Sequence, residues 1–352
     1  MKIRALLIPL AVSLMAGPAD SETLRLLNWE EYLSPNVETQ WENTTGHKIE
    51  SVYFDNDQKR DEILLNAERH IIDLAVVDEI VAERFGDDDR LIEITEELVP
   101  NLKHVGDFWR QRCSKYAIPY FWGTLGIVYR SDKVPTPPDS WKDIVEPSDK
   151  LKGHIGMLDD YTDMLAPAIF MNGHKLNTED ADELKQAFEA LKQQSADVLT
   201  YDYIITYVNS SPKSDDLHMA VGYGGDQYIL NDRAGNDDLW KYVIPKEGTV
   251  LWVDCLAIPS NSKNIKQALA FLNYLSDPVV AAQHAEDLYY ATPNETAMNH
   301  VSEKYKNDSE IFPPRSILEQ SDLYEEMTNS NIEKRLRITN AVKNIHESKQ
   351  TR

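Results

Sequence analysis

The segment Asn28-Trp29-Glu30-Glu31-Tyr32 sets an indole and a phenol three residues apart with two carboxylates between them. An aromatic face attracts an ammonium group by about 0.5–2 kcal/mol per contact. A carboxylate pairs with the same cation through a charge-assisted hydrogen bond. The combination recurs along the chain at Asp78-Glu79, Asp159-Asp160-Tyr161-Thr162-Asp163, Tyr223-Gly224-Gly225-Asp226, Trp252-Val253-Asp254 and Tyr289-Tyr290-Ala291-Thr292-Pro293-Asn294. Each segment taken singly has a structural explanation: acids favour a helix N-terminus, and Asp160 or Thr162 suits a helix cap. Taken together they form the kit a flexible organic polycation requires, with carboxylates for its ammonium groups and flat rings for the apolar stem between them. The candidate binding residues are Trp29, Glu31, Tyr32, Asp78, Glu79, Asp160, Asp163, Tyr223, Asp226, Trp252, Asp254 and Tyr290.

The sequence argues against the main alternatives. There is no G-x-S-x-G, H-E-x-x-H or P-loop pattern, and the nine histidines form no ligand-spaced pair. Asp160 and Asp163 have the residue types of a glycosidase carboxylate pair. Sugar sites, however, usually add amide and Arg groups, and the candidates here are anionic and aromatic. Asp55-Asn56-Asp57 and Asp87-Asp88-Asp89 hint at calcium, but neither continues with the glycine and terminal glutamate of an EF-hand loop, so both read as solvated loops. The expectation is a binding protein with no catalytic residue, no metal and no cofactor. The net charge of −23 repels nucleic acid and anionic lipid and attracts cations.

The elements that must position these residues follow from the hydrophobic pattern. Strands are expected over 23–27, 48–54 and 73–77, with helices over 35–45 and 58–68 between them. This βαβαβ rhythm predicts an α/β fold with mainly parallel sheets and helices on both faces. Further strands are expected over 122–129, 154–158, 218–222 and 250–259. Helices are expected over 162–171, 178–193, 225–234, 265–275 and 278–286, and from 330 onward. The chain is too long for one ordinary core and divides into two lobes: residues 22–125 with 255–352, and the inserted residues 126–254. Two crossings, near 124–128 and 252–257, make a two-strand hinge whose closure traps ligand. Ligands of open α/β sheets sit beyond the carboxyl ends of strands, where the candidates lie.

Lys2 and Arg4, the apolar run 5–16 and the small residues of Ala19-Asp20-Ser21 read as an export signal over residues 1–21. No later stretch approaches transmembrane length, so a soluble, exported monomer is expected. An oxidising compartment permits Cys113 and Cys255 to pair, although their spacing does not decide it.

From about residue 23 to residue 314 the chain resembles the periplasmic spermidine/putrescine-binding proteins of bacterial ABC importers. The resemblance is carried by Asn28-Trp29-Glu30-Glu31-Tyr32, Ile118-Pro119-Tyr120-Phe121-Trp122-Gly123, Asp159-Asp160 with Asp163, the run Trp252-Val253-Asp254-Cys255-Leu256-Ala257-Ile258-Pro259, and Thr292-Pro293-Asn294. It implies a two-lobed periplasmic-binding fold of type II with a polyamine between the lobes. By position it implies aromatic contacts at Trp29 and Tyr32, and amine-binding acids at Asp160 and Asp163, the second often Glu in the family. It further implies an amine-binding Asp of some members at Asp226, and a wall, a central carboxylate and a far aromatic at Trp252, Asp254 and Tyr290. Two departures stand out. Tyr223 replaces a common Trp, and Asp78-Glu79-Ile80 replaces a Ser-Thr-Tyr-like stretch, which predicts a ligand with more or differently spaced amines. The implied partner is an inner-membrane ABC permease. Some relatives are instead polyamine or norspermidine sensors that report to a membrane signalling protein.

Overall fold

The computed structural model describes residues 23–66 and 71–350. The expected export signal over 1–21 lies outside the described residues, as do residues 67 and 68 of the helix expected over 58–68. Ten strands form among the described residues: β1 (Thr23–Asn28), β2 (Lys48–Tyr53), β3 (Leu74–Asp78), β4 (Ala117–Arg130), β5 (Ile155–Gly156), β6 (Val198–Thr200), β7 (Met219–Tyr223), β8 (Trp240–Val243), β9 (Val250–Ala257) and β10 (Asp322–Leu323).

The N-terminal third follows its local signals. Leu24, Leu26 and Leu27 of β1 are buried, and β1 pairs in parallel with β2 and β3. The connecting helix Pro35–Thr45 starts where the Ser34 side chain accepts from the Val37 N–H, carries proline in its first turn and stops at Gly46 with φ 78°. Helix Ile265–Leu275 buries Ala268, Phe271, Leu272 and Leu275, the i, i+3, i+4, i+7 stripe of an amphipathic helix.

β4 and β9 join the two halves. Residues 117–124 of β4 pair with β9 in the first sheet, ordered β2-β1-β3-β9-β4. Residues 125–130 pair with β7 and β8 in the second sheet, where β5 and β6 continue beyond β7. The strand pairing is therefore mixed. It is parallel in the βαβ portions and antiparallel wherever β4 or β9 takes part, except at β10, which lies parallel to β9. The chain leaves the first half through β4 and returns through β9, and adjacent outgoing and returning strands must run in opposite directions.

Hydrophobic packing divides at the same place. One cluster gathers Leu26, Val76, Phe121, Leu256 and Phe271, and another gathers Leu125, Ile127, Trp141, Ile155 and Val221. Tyr223 and Tyr324 pack against both. The tail helix Asn329–Gln350 differs from its expected place with the first lobe. Val342 is buried in the second cluster, Arg335 donates to the Leu176 and Thr178 carbonyls, and Lys343 pairs with Asp159 at 2.5 Å. The apolar face of that helix finds its partner on the inserted half, a tertiary match that the tail's own pattern does not encode. Among the described residues no helix is long and apolar enough to cross a membrane.

Candidate functional site

The ends of strands converge on one cavity open to solvent. β1 runs out into Trp29, Glu30 and Tyr32, and β3 ends at Asp78. β7 ends at Tyr223, and β9 carries Trp252, Val253 and Asp254 across the junction of the sheets. The β3–β9 register sets Asp78 directly opposite Asp254. Among the described residues the lining consists of seven rings (Trp29, Tyr32, Tyr203, Tyr223, Trp252, Tyr290 and Tyr324), five carboxylates (Glu30, Asp57, Asp78, Asp163 and Asp254) and Val253, with no Lys, Arg or His. Trp252 meets Tyr223 and Tyr290 edge-on at 5.9 and 6.1 Å, and Tyr32 meets Tyr290 edge-on at 4.9 Å. Such pairs fix ring orientation beyond the gain from burial. A Cβ on Gly123 would lie 2.4 Å from the Trp252 ring, so glycine is what allows the indole to lie against β4.

Tyrosine hydroxyls hold the acids in place. Tyr32 donates to Asp254 at 2.8 Å. Tyr223 donates to Asp163 at 2.7 Å, and Tyr324 donates to the other oxygen of the same carboxylate. Asp226, fully buried, accepts from the Tyr203 and Tyr290 hydroxyls and from the Tyr223 N–H. Burial dominates their acidity. Asp254 is pushed up to about 7, with the Tyr32 hydrogen bond and the charge of Arg60 pulling the other way. Asp226 is likewise pushed up to about 7 by burial against three donors. Asp163 is raised by burial and by the charge of Asp160, against its two tyrosine donors. A desolvated carboxylate of this kind gains most from an incoming cation.

The structure sorts the twelve sequence candidates. Trp29, Tyr32, Asp78, Asp163, Tyr223, Trp252, Asp254 and Tyr290 line the cavity. Asp226 lies behind the wall and reaches it through Tyr203 and Tyr290. Asp160 lines adjoining chambers, and one of its oxygens accepts from the Thr162 and Asp163 N–H groups in the capping role. Glu79 does not reach the cavity. It is 2 % exposed, is raised to about 7 by burial, and pairs with Arg112 at 2.6 Å. Glu31 sits at the rim with φ 60° and pairs across the cleft with Arg233 at 2.7 Å. The left-handed turn at Glu31 leaves Glu30 as the acid that lines the cavity. Tyr289, also at φ 60°, donates across the cleft to Asp232 of the same helix, Asp226–Ala234. Two non-glycine residues held at positive φ and aimed at one helix mark the rim as a contact between the halves.

The acids at Asp78-Glu79 are matched by cations of this chain. Glu79 has Arg112, and Asp78 accepts from Arg60 at 2.7 Å while its other oxygen caps the Val81 N–H. Sequence reasoning missed Glu30, Asp57, Tyr203 and Tyr324 as lining residues. Tyr203 follows β6 and Tyr324 follows β10, strands of three and two residues with too little pattern to read. Asp57 read as part of a solvated loop, but it opens helix Asp57–Leu65 and faces the cavity. Cys113 and Cys255 are joined by a disulfide with Cα atoms 5.7 Å apart, tying the segment before β4 to the residue after Asp254.

The chain is similar to known proteins over most of its length. A family model described as bacterial extracellular solute-binding protein matches residues 39–313. The chain is 33 % identical over 347 residues to a norspermidine sensor of Vibrio cholerae serotype O1, covering 99 % of this chain and 96 % of the sensor. It is 30 % identical to the putrescine-binding periplasmic protein SpuD of Pseudomonas aeruginosa, over 90 % of each chain. A solved spermidine/putrescine ABC transporter protein from Listeria monocytogenes superposes with a TM-score of 0.81 at 26 % identity, covering 92 % of this chain and 99 % of that one. These relatives are binding and sensing proteins, not enzymes.

Proposed function

Since this chain belongs to the bacterial extracellular solute-binding protein family, we propose that it captures a polyamine of the spermidine, norspermidine or putrescine class in the periplasm and presents the closed complex to a membrane partner. The observation that carries this reading is the lining itself: seven rings and five carboxylates, with no basic side chain among the described residues. A neutral sugar would bring no cation to Glu30, Asp163 and Asp254, an amino acid would bring its own carboxylate along with its single ammonium, and an anion would be repelled. Ammonium groups satisfy Asp163 and Asp254, and the rings cover the methylenes between them. The hinge lies in β4 and β9 where they pass between the sheets, with residues 126–254 as the moving lobe and the tail helix carried on it. Closure removes water from the ion pairs and strengthens them.

The main reading of the partner is an ABC permease. The second is a membrane signalling protein, favoured by the 33 % identity to a norspermidine sensor over nearly the whole chain. Trp29 and Trp252 line the cavity, so titration of tryptophan fluorescence with putrescine, spermidine and norspermidine, backed by calorimetry, tests capture directly. Saturable binding of at least one amine is expected, with none for a neutral amino acid. No response to any amine refutes the reading. Co-purification with a permease or with a membrane signalling protein separates the two partners.

A further inference from the structure

Arg60 lies just behind the cavity wall and is 1 % exposed. Its guanidinium is ringed by Asp57 at 2.9 Å, Asp61 at 3.0 Å and Asp78 at 2.7 Å. The arrangement is built from helix spacing and strand position. Asp57 and Arg60 stand three apart on helix Asp57–Leu65 and so share a face, and β3 delivers Asp78 to the same point. Two of the three acids, Asp57 and Asp78, line the cavity. Among the described residues no ion pair joins the other lining acids, Glu30, Asp163 and Asp254, to a basic side chain. A buried guanidinium cannot lose its proton, so it is a permanent charge. The cavity's acids therefore fall into two groups, one already supplied with a cation and one not.

We propose that Arg60 is a specificity-determining residue: a resident cation that stands in for one ligand ammonium at the Asp57–Asp78 end of the cavity, and so sets the cleft to a triamine rather than a tetraamine. This deepens the polyamine reading and rests on it. A fourth ammonium reaching that end meets Asp78, whose two oxygens are held by Arg60 and the Val81 N–H, and Asp57, one of whose oxygens is held by Arg60, and it approaches the like charge of Arg60. The penalty acts against the longer ligand alone, which is how a charge selects between homologues. The field of Arg60 also reaches across the cavity and opposes the burial effect on Asp254.

The test is calorimetric titration with norspermidine and with spermine at pH 8, for the wild type, Arg60→Gln and Arg60→Lys. The wild type is expected to bind norspermidine more tightly than spermine, and equal or tighter spermine binding overturns the proposal. Arg60→Gln, checked for folding by circular dichroism, is expected to raise the spermine-to-norspermidine affinity ratio at least fivefold, and a smaller change overturns it. Arg60→Lys keeps the charge and is expected to hold the ratio within fivefold of wild type. A lysine variant that shifts the ratio fivefold or more overturns the role of charge. Should Arg60→Gln not fold, the wild-type and lysine measurements still decide. A wild type that binds neither amine refutes the polyamine reading itself, a result distinct from binding with the wrong selectivity.

Discussion

Polyamine binding should be linked to proton release near neutral pH. In the unliganded cleft burial pushes Asp254 up to about 7 and raises Asp163 in the same direction. A bound ammonium favours the ionised carboxylate, so below pH 7 each carboxylate must lose a proton before it can pair. For one group with a pKa near 7, lowering the pH from 8 to 6 weakens binding by about tenfold, or ~1.4 kcal/mol. Asp163 adds a further factor of up to the same size, so norspermidine affinity should fall by between about ten- and a hundredfold over those two units. The sign for folding is opposite. Asp226 is 0 % exposed, and its folded pKa of about 7 lies above its unfolded value. The folded state therefore binds protons more tightly, and unliganded stability should decline as pH rises from about 4 to 7, by a few kcal/mol for such a group. Calorimetry at pH 6, 7 and 8, in pairs of buffers with different ionisation enthalpies, counts the protons released. About one proton per ligand is expected near pH 7, rising as the pH falls. Constant affinity from pH 6 to 8 with no buffer-dependent heat would refute the argument that these acids meet the ligand's cations from a desolvated, protonated state.

Three further outcomes follow from the same geometry. Asp254→Asn keeps an acceptor for Tyr32 but removes the central charge. Polyamine affinity should drop by about 3 kcal/mol or more, over a hundredfold, while the melting temperature at pH 8 stays level or rises; unchanged affinity by calorimetry removes Asp254 from the site. Arg233→Ala breaks the rim pair with Glu31, in which the side chains are 28 % and 47 % exposed. An exposed pair contributes roughly 0.2–1 kcal/mol, so stopped-flow fluorescence should show ligand release faster by no more than about fivefold. Reducing the disulfide frees a cross-link spanning 142 residues. Chain entropy predicts a loss of about 5 kcal/mol, seen as a lower melting temperature in reductant, and an unchanged melting temperature would show that the link adds no stability.

Much of this was legible in the chain because the signals were local. The caps of helix Pro35–Thr45, the stripe of helix Ile265–Leu275 and the apolar runs of β1 and β3 each lie within a dozen residues. Trp29, Tyr32, Asp163, Tyr223, Trp252, Asp254 and Tyr290 could be nominated because each lies on or just beyond a strand, or closes a helix, and pairs ring with acid. The short strands β6 and β10 carry too few residues for a pattern, and so Tyr203 and Tyr324 went unseen.

Residue types and local patterning therefore carried the class of protein, the two-lobed plan and the chemistry of the cleft, because rings and carboxylates are written in the residues. Which acids are available to a ligand depends on the folded packing. Asp57, Asp78 and Glu79 are as acidic in sequence as Asp163 and Asp254, yet Arg60 and Arg112 claim them across 3, 18 and 33 residues of chain. A charge is defined by its residue type. Whether it is spent depends on which oppositely charged neighbour the fold brings within hydrogen-bond reach, and at the larger separations no local pattern carries that information.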